Sequence, residues 1–145
     1  MAEAMLNKLG EGRFQSFSAA SRPTGVVNAV ALEELQRRGY KTLGLHSKSW
    51  DAYTGEAAVK MDFVVTVCDL AAFEVQPKWP GAPVSVWWNF QAPGAAQGTD
   101  DEIRQVFQKV CAELESALKK LVLLPFAQTK RSEWASLVHC IPVKY

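Results

Sequence analysis

Residues 61–67, MDFVVTV, form an almost unbroken apolar run that ends in Cys68 and Asp69. Val64, Val65 and Val67 are β-branched, and the run is too short for an ordinary helix, so it reads as a strand. Continuous rather than alternating apolar character suits a strand covered on both faces, as in a parallel sheet. That limits the chain to architectures in which helices flank a sheet. It also places a thiol where a strand ends, at the edge where open α/β sheets bind ligands. Two readings of Cys68 stay open at this point, a redox group and a small apolar filler.

The surrounding sequence supplies the helices. Residues 2–9 read as a helix that Gly10 ends, and Asn28 is placed to cap a second helix over 29–38 that Gly39 stops. Residues 14–20 alternate large apolar with small polar side chains in part, which predicts a strand; 22–25 is a turn and 49–52 a single helical turn. A short helix is predicted over 70–74, with Asp69 as its cap, and another strand over 84–88. Adjacent Trp87 and Trp88 in that strand must point to opposite faces, one to the core and one to a cleft or partner. Thr99 and Glu102 have capping-box spacing, and Ile103, Val106, Val110, Leu114 and Leu121 then recur at helical intervals until Pro125. Asp100 and Asp101 sit in that helix's first turn, where a carboxylate favours the dipole, and Cys111 lies beside the apolar stripe. The tail predicts a helix over 132–137 and an extended end. A strand over 137–143 competes with that reading, against which Pro142 counts because it cannot donate to a ladder.

Bulk properties narrow the function. With 145 residues, the chain holds one ordinary domain, and 48% apolar with 21% charged residues is globular composition. A net charge of +1 gives no reason to expect a nucleic acid or an anionic membrane as partner. No apolar run approaches the roughly 20 residues of a membrane helix. The N-terminus has no basic-then-apolar signal pattern, and three widely spaced cysteines suit a reducing cytoplasm better than a disulfide framework. His46 and His139 have no metal-ligand spacing with any cysteine, so neither a metal nor a cofactor is expected.

Five stretches together resemble the thioredoxin-coupled arsenate reductases of the low-molecular-weight protein tyrosine phosphatase superfamily. They are MAEAMLNKLGEGRFQSFSAASRPTGVVNAVALEELQRRGY, LHSKSWD, MDFVVTVCD, the KWPG turn, and the spacing of Trp88, Pro93, Gly98, Thr99 and Glu102. The resemblance covers residues 1–125 as one domain and leaves 126–145 as a C-terminal extension. It implies a doubly wound α/β fold with a four-stranded parallel sheet. It implies a mechanism too. A C-x5-R loop after the first strand cradles a tetrahedral oxyanion at a helix N-terminus, and its cysteine attacks as a thiolate. An aspartate before a proline is the general acid, and two further cysteines pass the oxidation on by disulfide exchange.

Several of those parts have no counterpart here. The family's C-x5-R loop runs directly into Met-Ala-Glu-Ala, which are residues 1–4 of this chain. No other C-x5-R exists, because Cys68 is followed six places on by Glu74 and Cys111 by Ala117. The expectation is therefore a domain missing its first strand, its nucleophile and its anion cradle. Ala92 stands before Pro93 at the general-acid position; Cys68 matches the first shuttle cysteine, and Gln76 stands where the second would be. Ser18-Ala19-Ala20 replaces a Ser-Ala-Gly beside the anion loop.

Cys68 is the candidate redox thiol, and Ser18, Arg22, Lys48 and Trp88 are the candidates for an anion site or cleft. Two functions follow. One is an arsenate reductase-like protein with an incomplete active site, as a start assigned at an internal methionine would give. It would take arsenate or phosphate if the loop lies upstream, and a thioredoxin-type thiol donor. The other is a non-catalytic or vestigial binding protein of the same fold, its sheet completed by a strand from a partner or a second copy.

Overall fold

The computed structural model describes residues 1–68 and 74–141. Strand β1 (Phe63–Cys68) and strand β2 (Val84–Phe90) pair in parallel. Phe63 lies opposite Val84, Val65 opposite Val86 and Thr66 opposite Trp87, after which the register slips and Cys68 meets Phe90. Side chains opposite each other on parallel strands share a face. Phe63, Val65, Val84 and Val86 therefore face one way, while Val64, Thr66, Ser85 and Trp87 face the other, outer way. Trp88 is 3% exposed and Trp87 is 48% exposed, so the tandem tryptophans divide between core and outer face.

The described residues also form four α-helices: α1 (Ala2–Leu9), α2 (Ala29–Arg37), α3 (Asp100–Val122) and α4 (Trp134–His139). Their ends follow from local chemistry. At Gly10 an added Cβ would lie 2.7 Å from the Cβ of Phe14, so glycine lets the chain turn tightly off α1. The Asn28 side chain accepts the amide of Val30 at 2.9 Å and that of Ala31 at 3.3 Å, and Gly39 leaves α2 with φ of 78°. Thr99 and Glu102 close the predicted box, with the Thr99 amide donating to Glu102 at 2.7 Å. A single turn of 3-10 helix spans Trp50–Tyr53, as expected.

The core lies between β2 and helices α1 and α3. Val86, Trp88 and Phe90 pack with Met5, Val110 and Leu114. Fully burying an aliphatic side chain of this size stabilises by about 1.5–3 kcal/mol. The C-terminal residues join the same core. Trp134 stacks on Phe63 with ring centroids 5.3 Å apart, Phe126 packs on Phe63 at 5.0 Å, and Val138 is fully buried. Arg131 fastens this segment to Asp62 at 2.6 Å, just before β1.

Five expectations need correction or fall elsewhere. Residues 14–20 form no strand; only Ala20 makes a parallel bridge, to Ser49. A strand needs a neighbour, and the Asn7 side chain instead takes both the N–H and the C=O of Ser16, at 2.8 and 3.0 Å. β1 is half-buried rather than covered on both faces, with Val67 exposed, because β2 is its only ladder partner among the described residues. The sheet described has two strands where the resemblance implies four. Residues 137–139 are helical, which removes the alternative of a strand over 137–143. Asp69 and the helix expected over 70–74 lie outside the described residues, apart from Glu74, which sits in a bend.

Candidate functional site

Two of the candidate anion-site residues come together at the first turn of α1. The Ser18 hydroxyl and the Lys48 ammonium both donate to the same oxygen of Glu3, the lysine at 2.9 Å. Lys48 is 9% exposed and Glu3 14% exposed along their side chains, so this is a largely dry ion pair and Lys48 is no solvated surface charge. Burial alone would raise the Glu3 pKa. The hydrogen bonds from Ser18 and Lys48, with the charge of the ammonium, outweigh it and hold Glu3 below the ordinary carboxylate value. The Ala20–Ser49 bridge fixes the two loops: Ala20 donates to the Lys48 carbonyl and Trp50 donates to the Ala20 carbonyl, both at 3.0 Å. Lys48 thus delivers a positive charge beside the N-terminal turn of a helix, and Glu3 neutralises it there.

The other candidates lie apart. Arg22 is highly exposed and pairs with Glu74 at 3.2 Å. Trp88 is core, and its indole N–H has no hydrogen-bond partner among the described residues. Cys68 is half-buried at the end of β1, Cys111 is buried and Cys140 exposed, and all three are free thiols. Burial pushes the Cys111 thiol up, with the Glu34 carboxylate adding to the effect, so this residue is a core filler in contact with the Met1 sulfur at 3.2 Å.

At the positions where the resemblance calls for chemistry, the side chains present hold structure. Gln76 donates its amide to Thr66 at 2.7 Å and accepts from the Trp79 indole at 3.2 Å. Ala92 precedes a short turn, Pro93–Ala95, and its methyl group makes no capping hydrogen bond and has no acidic proton to give. Glu3 was missed by sequence reasoning; its only signal was an acid in a helix's first turn, which reads as a dipole effect. Among the described residues no group of three or more His, Cys, Asp and Glu comes together as a metal site. No described helix is long and apolar enough to cross a membrane.

A parallel strand pair flanked by helices, with a thiol at a strand's carboxyl end, defines an α/β protein of the open-sheet kind. The chain is 32% identical over 119 residues to an arsenate reductase of Halalkalibacterium halodurans, a match covering 82% of each chain. It is 29% identical over 124 residues to an arsenate reductase of Oceanobacillus iheyensis, again 82% of each. Among solved structures, an arsenate reductase from Archaeoglobus fulgidus superposes with a TM-score of 0.65 at 24% identity, covering 83% of this chain and 86% of that one. Another, an arsenate reductase in its reduced state, gives 0.59 at 18% identity, covering 83% and 84%. No family model matches the chain. The protein belongs to the arsenate reductase family, and its α/β fold is that of the phosphatase-like arsenate reductases.

Proposed function

We propose that this is an arsenate reductase-like protein whose 145 residues hold the scaffold of the oxyanion site without the groups that perform the reduction. The likeness to the H. halodurans reductase over 82% of the chain is the observation that carries the reading. Reducing arsenate to arsenite takes two electrons, which two thiols supply by becoming a disulfide. Cys68 is the one thiol at the carboxyl edge of the sheet, and the described residues bring no second cysteine to it. Oxyanion binding in this family also needs the C-x5-R loop, which these residues do not contain. On this reading residues 1–125 are the reductase-like domain, 126–145 an extension, and the thiol donor is of thioredoxin type, working in the cytoplasm.

A chimaera tests it. Placing a relative's first strand and C-x5-R loop ahead of Met1 should restore binding of arsenate or phosphate, seen by calorimetry. A folded chimaera that binds neither would refute the reading.

A second reading, a non-catalytic binding protein of the same fold, is favoured by Gln76. Its amide is used at both ends in hydrogen bonds, as a side chain recruited for structure would be. On that reading a strand from a partner or second copy lies against the edge of β1 that no described strand pairs with. The chimaera separates the two, because a fold given over to pairing with a partner strand would gain affinity for neither arsenate nor phosphate from the added loop.

A further inference from the structure

We propose that residues 74–79 form a strap fastened across the outer face of β1, with Gln76 as its positioning residue, and that this fastening sets access to the strand's carboxyl end, where Cys68 sits. The segment alternates like an extended chain: Glu74 and Gln76 are half-buried, and Val75 between them is 94% exposed. Three ties hold it. The Gln76 Nε2 donates at 2.7 Å to Thr66 Oγ1, a part-buried bond to an outer-face residue two places before Cys68. The Gln76 Oε1 accepts at 3.2 Å from Trp79 Nε1, and the Trp79 ring then meets Trp50 edge-on at 6.2 Å. At the other end Glu74 accepts from Arg22 at 3.2 Å.

The ties differ in kind. The Arg22–Glu74 pair is open to solvent and weakened by salt, whereas the Gln76 bonds are part-buried and insensitive to it. The carboxamide donates to Thr66 and accepts from Trp79 at once, whereas a carboxylate has no donor and an aliphatic side chain has neither group. Gln76 is thus matched to both partners, and its loss frees the middle of the strap while the outer pair still holds one end. The inference rests on the proposed function only in taking Cys68 as a thiol with no second thiol on this segment. Its test uses no arsenate, so each idea can fail alone.

The experiment is the rate at which iodoacetamide alkylates Cys68 in the full chain, read by peptide mass spectrometry so that Cys111 and Cys140 are counted separately. Gln76→Leu, which keeps the bulk and removes the amide, is expected to raise the rate about tenfold by shifting a local opening equilibrium. A Cys68 rate equal to that of the unaltered protein, with an unchanged circular dichroism spectrum, overturns the proposal. Should Gln76→Leu fail to fold, Thr66→Val decides. This near-isosteric change removes the acceptor alone, and faster alkylation sustains the strap while an unchanged rate refutes it.

Discussion

Glu34 shows how single residues carry this fold. It is 5% exposed, yet it is a carboxylate, and it persists because Arg37 donates to it twice, at 2.9 and 2.7 Å, and Arg38 once at 2.6 Å. Arg38 continues to Glu115 on α3 at 2.8 Å, so the network staples α2 to α3. Tyr40 belongs to it too: burial and a hydrogen bond to Glu115 push its hydroxyl up to about 12. Glu34→Ala leaves Arg38 with one partner fewer in a mostly buried position and is expected to cost about 2 kcal/mol, measured by urea unfolding. The hydrogen bond from Arg37 holds Glu34 low, and that from Lys119 does the same for Glu115, in each case against burial. Glu3 is low as well. Carboxylates depressed in the folded state add stability that is present above their unfolded value, near 4.5, and lost as the pH falls through the folded values. Stability should therefore drop steeply below about pH 4.5, and Glu34→Ala should flatten that drop in unfolding curves taken between neutral and acid pH.

Among the elements, α3 was the most legible, because its start and its buried stripe are both written in local spacing. Thr99→Ala breaks the box that the Thr99 and Glu102 spacing announces, and a loss of about 1 kcal/mol is expected in the same unfolding assay. β2 was legible for a related reason: Val86, Trp88 and Phe90 alternate inward. Residues 14–20 were not. Their pattern is strand-like, but pairing depends on what lies beside them, and Asn7 occupies the backbone groups of Ser16. β1 shows the same dependence, since its apolar run anticipated two covered faces. With β2 alone beside it among the described residues, every other backbone amide of β1 points away from a ladder partner. Hydrogen exchange along Phe63–Cys68 should alternate between slow and fast. Uniform protection would mean that something pairs with the second edge.

For the whole molecule, the family and fold class could be read from the chain because the resembling stretches are long and cover most of it. The site was less legible because its geometry joins distant residues. Glu3 and Lys48 are 45 positions apart, and nothing local marks them as an ion pair. Gln76 read only as a missing thiol, while its two hydrogen bonds appear once Thr66 and Trp79 are brought around it. Arg22 and Lys48 looked alike as lone loop cations, and packing separates them into an exposed charge and a buried one. The most direct test of the central claim is arsenate-dependent oxidation of reduced thioredoxin by the purified chain of 145 residues. A rate no greater than that without the protein is expected, since the chain has no C-x5-R loop and no second thiol beside Cys68. Turnover above that background, abolished by Cys68→Ser, would contradict the account and make Cys68 the nucleophile of a complete site.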